Sequence, residues 1–427
     1  MRRRRPWWPA AVLWGGLALA PLWDAMSVAA PLPGVPQPPA PSVPADQPGR
    51  QQAPRSTDMR ETRIQPTLSL AVLLTLGVEY RSNVRFEPDG EGDAIGVLTP
   101  EVQLRYQTRL VTWKTAYSRT AEAYLDKTEL NTSSRRQGAD TALQVRLTPR
   151  LGTTLTAAWR DTHDPAEEIL AGAPTLASVR TASREWSAGN GWTYRVTPAV
   201  EGDVAYRYVN VRFSSAGAIS REEHQAEIGS RIRVTPQDAL LPRYGFHLFV
   251  FDTGSEYRIH TLKGAYEHTI GRWILIRMQA GVALLDGPAI PNVGYTTGIL
   301  SEWRHEQLTV RAEYGRDFAA LGEVDGVLVT HTGALVATQR FSRSLEASVS
   351  GRYRWQQDLA PGSRRAVYQI WSSQVEVAKT ATDWLVLRAS SSVVQQSTNP
   401  APQSGGVVRD YRAMLSATFV ATTPLLW

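Results

Sequence analysis

The sequence predicts an all-β chain closed into a transmembrane antiparallel up-and-down β-barrel of about 18 strands, within roughly 16 to 18, behind a disordered N-terminal tail. Three observations predict this. Apolar and polar side chains alternate in stretches of about ten residues from Leu68 to Phe419. Tight-turn signals recur at intervals of 35 to 49 residues. The chain opens on an export signal.

Residues 1 to 29 read as a signal peptide: Arg2 to Arg5 are the basic region, Ala10 to Ala20 the apolar region and Ser27-Val28-Ala29 a small-residue cleavage site. Gly15, Gly16 and Pro21 break the apolar run well short of the ~20 residues a spanning helix needs. With no Cys among 427 residues, a lipid-modified N-terminal cysteine, disulfides and thiolate metal sites are excluded. Residues 1 to 29 carry four Arg and one Asp, so their removal lowers the net charge from +6 to +3. A nearly neutral chain gives no support to nucleic-acid binding.

Residues 30 to 66 are rich in Pro, Gln, Ser and charge and poor in aromatic side chains. Such a stretch cannot bury enough apolar surface to offset the cost of ordering, which predicts a disordered periplasmic tail. It is either a spacer or a docking segment for a periplasmic or inner-membrane partner, and it is too short to be a folded plug.

Residues 67 to 427 carry the barrel pattern. Leu308, Val310, Ala312 and Tyr314 fall on one strand face, and Thr309, Arg311 and Glu313 on the other. Leu345, Ala347, Val349, Tyr353 and Trp355 oppose Glu346, Ser348, Ser350, Arg352 and Arg354 in the same way, and Tyr411 to Phe419 repeats the pattern. Tyr and Trp gather towards strand ends, as in interfacial girdles, which favours a membrane barrel over a soluble sandwich. Tight connections are expected near Thr108, Thr148, Thr197, Thr235, Gly271, Glu306, Ser342 and Thr382, each spacing holding one strand, one longer loop and one return strand. The count is nine hairpins, and an even strand number returns both ends of the barrel to the periplasm.

Longer polar loops are expected over Arg81 to Ala94, Asp126 to Arg136, Asp164 to Arg180, Ser214 to Arg221, Asp317 to Gly326, Asp358 to Arg364 and Ser397 to Gly406, any of which could fold inwards as a constriction. Two stretches, Val327 to Ala337 and Ala366 to Val377, fit either register.

The opening LSLAVLLTLGVEYRSNVRFEP, then GVLTPEVQLRYQTRLVTWKTAYSRTAEAYLDKTELN and LTPRLGTTLTAAWRDTHDPAEE, resemble the outer-membrane β-barrel porin family associated with exopolysaccharide and exosortase loci. The chain departs from that pattern at Ser82, where members commonly show Asp before the Asn, and in the tail ATTPLLW after Phe419, where a barrel would usually stop at its aromatic. The resemblance implies a porin fold in the bacterial outer membrane and a role in polysaccharide export, with a polysaccharide and a periplasmic polysaccharide-export protein as partners beside outer-membrane lipid.

By strand parity, inward positions carry Arg105, Arg146, Arg160, Arg207, Arg231, Arg233, Arg304, Arg311, Arg352, Arg354, Arg388 and Arg412. Glu101, Glu201, Asp203, Glu227, Glu302, Glu313 and Glu346 are interleaved with them. A charge facing lipid at the bilayer midplane costs ~2 to 4 kcal/mol, so this surplus on one parity calls for a wet interior. Guanidinium rows can attract anionic groups on a passing solute; equally, interleaved Arg and Glu can form cross-strand ion pairs that stiffen the wall.

No catalytic reading emerges, since the seven His lie singly without metal-ligand spacing and no Gly-x-Ser-x-Gly elbow is present. The expectation is a non-enzymatic protein without a cofactor. Three functions remain: a polysaccharide-export porin with an openable lumen, a passive diffusion porin with a folded-in constriction, and a structural or assembly barrel with a closed lumen.

Overall fold

The computed structural model describes residues 67–87, 90–163, 182–214, 218–288, 293–320, 326–359, 367–399 and 407–425. The expected signal peptide, tail and Asp164–Arg180 loop, with most of the last two expected loops, lie outside these residues. In chain order the strands are β1 (Thr67–Arg81), β2 (Asp93–Gln107), β3 (Val111–Tyr124), β4 (Thr132–Arg146), β5 (Leu151–Thr162) and β6 (Ser183–Thr197). There follow β7 (Val200–Phe213), β8 (Arg221–Arg233), β9 (Asp238–Phe251), β10 (Glu256–Ile270), β11 (Ile274–Asp286) and β12 (Val293–His305). The last six are β13 (Leu308–Ala320), β14 (Val327–Arg340), β15 (Leu345–Asp358), β16 (Val367–Thr382), β17 (Leu385–Asn399) and β18 (Val407–Leu425).

Every strand pairs antiparallel with its sequence neighbours, and β1 pairs with β18, so the 18-stranded sheet closes on itself. Closure runs from Leu68↔Leu425 to Arg81↔Arg412 and abolishes the unpaired edge. The last strand therefore continues six residues past Phe419, where the sequence pattern placed the end of the barrel, because the first residues of β1 need a partner on that side. Two expected loops are shorter than expected: β4 begins at Thr132 and β13 runs to Ala320. The β9–β10 connection, Asp252 to Ser255, is a tight turn in which Gly254 takes φ +90°, a conformation open to glycine.

The eight short turns lie at one end of the barrel and the longer connections at the other. Six short turns share one device, a Thr or Ser hydroxyl accepting backbone N–H bonds from two or three residues on. Thr108 accepts from Leu110 and Val111 at 3.2 and 2.9 Å, Thr148 from Arg150 and Leu151 at 3.2 and 3.0 Å, and Thr197 from Ala199 and Val200 at 3.2 and 3.1 Å. Thr235, Ser342 and Thr382 do the same. The other two turns use positive φ instead, at Gly271 in the three-residue β10–β11 connection and at Glu306 in the two-residue β12–β13 connection.

The register settles both ambiguous stretches. Leu335 and Ala337 of β14, and Trp371, Val375 and Val377 of β16, share the outer face with Val310 and Val349. That face exposes a continuous apolar belt, including Val78 at 62 %, Leu262 at 60 % and Leu415 at 68 %. An apolar surface of this extent is untenable in water and matches the hydrocarbon of a bilayer. The chain is a transmembrane barrel whose paired strands supply the spanning backbone hydrogen bonds, interrupted beside Pro100 and Pro242. Within the belt, Tyr206, Tyr244 and Tyr314 each bond a His on the next strand, His224, His260 and His331, at 2.7 to 2.8 Å. Trp355 packs edge-on to His331.

Candidate functional site

The site is the inner wall. Its charges sort into levels along the barrel axis. Within three residues of the short-turn end of their strands, the inner face carries eleven cations among the described residues: Arg105, Lys114, Arg146, Arg195, Arg231, Arg233, Arg277, Arg304, Arg311, Arg340 and Arg388. Five carboxylates stand at that level, Glu201, Asp203, Glu267, Glu302 and Glu346.

Between the two ends the inner face holds Arg136, Arg207, Arg243, Lys263, Arg352, Arg354 and Arg412 with Glu101, Asp140, Glu227, Glu313 and Glu376. Arg412 lies nearer the loop end. Within three residues of that end stand Arg81, Arg160 and Arg221, against Glu79, Asp93, Glu122, Glu185, Glu223, Asp317 and Asp410.

Many of these groups are paired. Glu267 accepts from Arg231 and, at 2.7 Å, from Arg277; Arg243 reaches Glu227 at 2.8 Å and Asp203 at 3.3 Å. Arg311 meets Glu313 at 3.0 Å, Arg388 meets Glu376 at 3.2 Å, and Arg304 meets Glu302. The pairing that parity allowed is thus extensive on β8 to β17. Lys114 on β3, Arg146 on β4 and Arg233 at the end of β8 make no ion pair among the described residues, and Arg105 on β2 donates to Gln107 at 2.8 Å.

The strongest feature of the wall was not legible in the sequence. Pairing between β12 and β13 stops at Thr297↔Arg316, whereas β13–β14 pairing continues to Ala320↔Val327 and β14–β15 pairing to Leu328↔Asp358. The end of β13 therefore leaves β12 and carries the start of β14 with it. Strand alternation places Phe318, Val327 and Val329 on the outward parity, yet they are buried in one cluster with the inward Phe249, Phe251, Tyr257, Ile259 and Leu285 of β9 to β11. This arm lies over the inner wall. Phe318 covers the inner side of Gly294, where a Cβ would stand 2.6 Å from its Cζ.

Two polar contacts hold the arm. Lys263 on β10 donates to Asp317 on β13 at 2.7 Å, passing over Gly281 of β11, where a Cβ would come within 2.9 Å of the lysine Cγ. At the departure point the Arg316 guanidinium stacks on Tyr295, 3.6 Å from the ring centroid, and donates to its carbonyl.

A second loop also turns inwards. Val84, in the β1–β2 connection, packs on the inward Ile95, Val97 and Tyr124. Asn83 fixes this loop by donating to the Glu87 carbonyl at 2.6 Å and the Arg409 carbonyl at 3.1 Å while accepting from the Glu87 N–H. Lys127 donates to Glu91 in the adjoining loops, which holds the Glu91 carboxyl below the ordinary carboxylate range. Beneath lies a buried chain across the closure seam: Tyr124 donates to Glu122 at 2.8 Å, Arg81 bridges Glu122 and Glu79 at 3.3 and 2.7 Å, and Arg412 binds Asp410 at 2.6 Å beside Glu79.

Sequence reasoning singled out Arg412 of the seam but not Lys263, Glu267, Arg277, Glu79 or Glu122, and it named Arg81 and Asp317 only as loop boundaries. Parity over Glu256–Ile270 and Thr67–Arg81 would have placed Lys263, Glu267, Glu79 and Arg81 on the inner face; nothing local points to the partners they reach. Among the described residues, no group of three or more His, Asp or Glu could hold a metal ion.

No protein-family model matches the chain, and no curated protein matches it in sequence, so the exopolysaccharide-locus resemblance gains no support. Solved structures of similar shape include OccAB4 of Acinetobacter baumannii, 12 % identical over 85 % of this chain and 100 % of that one, with a TM-score of 0.46. OccK3 (OpdO) of Pseudomonas aeruginosa is 14 % identical over 85 % and 96 %, with a TM-score of 0.45. The siderophore receptor PirA of Pseudomonas aeruginosa is 10 % identical over 82 % and 80 %, with a TM-score of 0.44.

Proposed function

We propose that this barrel sits in a bacterial outer membrane, short turns towards the periplasm, and serves passive diffusion of small hydrophilic solutes. The observation that carries this reading is the β13–β14 arm folded onto the inner wall and latched by Lys263 and Asp317, a device that narrows a lumen without filling it. The wall of β5 to β7, outside the cluster that the arm covers, is kept low by Gly189 and Gly191 beside Thr154 and Thr156, and the mid-strand Arg207 there is exposed. An exposed inward guanidinium at mid-height supports a wet lumen over one packed shut. Export of a polysaccharide would need the arm displaced for the polymer to thread, and no observation favours that step.

Planar-bilayer recording tests the reading. The purified barrel should form stable channels, and replacing Arg311, Arg352, Arg354 and Arg388 together by Ser should lower anion preference while the heat-resistant fold survives. A folded wild type that inserts and never conducts would refute it. Loss of polymer secretion by cells carrying the variant, with unchanged conductance, would favour export instead.

A further inference from the structure

The charge levels of the inner wall are not symmetric along the axis. Among the described residues, eleven cations against five carboxylates at the short-turn end leave a surplus of six positive charges, while three cations against seven carboxylates at the loop end leave four negative. The level between them holds seven cations against five carboxylates, a surplus of two positive charges. At the short-turn end the surplus is not neutralised locally: Lys114, Arg146 and Arg233 carry it without ion pairs among the described residues, and all three are exposed. At the loop end Arg412 pairs with Asp410 and Lys263 with Asp317, so Glu185 and Glu223 on the wall of β6 and β8 carry the negative charge of that mouth. The flanking turns add Arg109 and Arg150, which line a cleft of about 290 Å³ with Arg146 and Arg195.

We infer that the lumen is an ionic rectifier, collecting anions at its short-turn mouth and cations at its loop mouth. The inference rests on the open-pore reading above. Fixed charge raises the local concentration of counter-ions wherever low-dielectric walls confine the field. With the loop end positive, cations enter through the anionic mouth and anions through the cationic mouth, so both accumulate between the mouths and resistance falls. With the sign reversed, each mouth is short of the ion it must supply, the mid-section is depleted and resistance rises. Small anions therefore pass most readily from the short-turn side to the loop side, and small cations in the opposite sense.

The test is the current–voltage curve of single channels of known orientation. The chain has no Cys, so Thr253→Cys in the β9–β10 turn gives a unique thiol at the loop end, and an impermeant thiol reagent in one chamber reports which way the barrel has inserted. Wild type should carry about twice the current with the loop end positive in 0.1 M KCl, and nearly equal currents in 1 M KCl, because the screening length falls from ~10 to ~3 Å. Lys114→Gln, Arg146→Gln and Arg233→Gln together should bring the ratio towards one at low salt, with folding confirmed by heat resistance on a gel. Glu185→Gln with Glu223→Gln should do the same from the opposite mouth. An ohmic wild type at low salt, or rectification that persists in both variants and at 1 M KCl, overturns the inference while leaving the pore reading intact; a folded barrel that never conducts overturns both.

Discussion

Lys263 and Asp317 lie on strands three apart in the barrel wall and meet at 2.7 Å over the inner faces of β11 and β12. Groups on the wall itself could not meet over that span, since neighbouring strands stand about 4.8 Å apart. The contact exists because the end of β13 has left the wall, and because Gly281 opens the path of the lysine chain.

Lys263→Met keeps the length of that side chain and removes its charge, leaving Asp317 without its cation. The latch should loosen at a cost of up to about 3 kcal/mol, and single-channel recordings should show a larger or more variable unitary conductance. Conductance identical to wild type would show that the arm does not narrow the permeation path.

A side chain at position 294 probes the same arm by steric means. In Gly294→Val the new Cβ would stand 2.6 Å from Phe318 Cζ and 3.2 Å from Leu285 Cδ1, so the ring must move off the wall. The barrel should still fold, because β12 and β11 stay paired there, and protease sensitivity near the β13–β14 connection should rise.

The seam chain predicts a stability effect without a conductance effect at mid-lumen. Arg81, with 1 % of its surface exposed, bridges Glu79 and Glu122, so Arg81→Met removes the cation that two buried carboxylates share. Breaking a buried pair of this kind costs about 3–5 kcal/mol. The temperature at which the folded band converts to the unfolded band on a denaturing gel should fall clearly.

Face assignment can be checked by moving one charge. Leu415→Arg places a guanidinium on the lipid-facing belt and should cost ~2 to 4 kcal/mol in folding into lipid vesicles. Gln103→Arg, on the inner face beside Glu101, should be nearly neutral in the same titration. Equal costs would mean that the two faces have been exchanged.

Much of the fold is legible without coordinates because a closed up-and-down barrel is built from local rules. Side-chain alternation decides which face each residue joins, and the Thr-Arg, Thr-Pro, Gly-Arg, Glu-Gln, Ser-Arg and Thr-Asp turn signals mark the eight connections at the short-turn end with the hydroxyl and positive-φ devices that make them tight. Where alternation blurred, at Val327 to Ala337, the cause is physical: Val327 and Val329 belong to the outward parity but are buried against the inner wall, so lipid never sorted them from their inward neighbours.

The sequence by itself determined the class, the turns and which parity bears charge, since each depends on residues one to four apart. It could not determine which charges meet. Lys263 and Asp317 are 54 residues apart, and Arg81 and Glu122 are 41, and their contacts depend on register, on glycines that leave room and on one hairpin leaving the wall. The axial charge asymmetry is of the same kind. It becomes visible only when the strand ends are aligned around the closed barrel, because a residue's height along the axis is a property of the assembled sheet and not of its place in the chain.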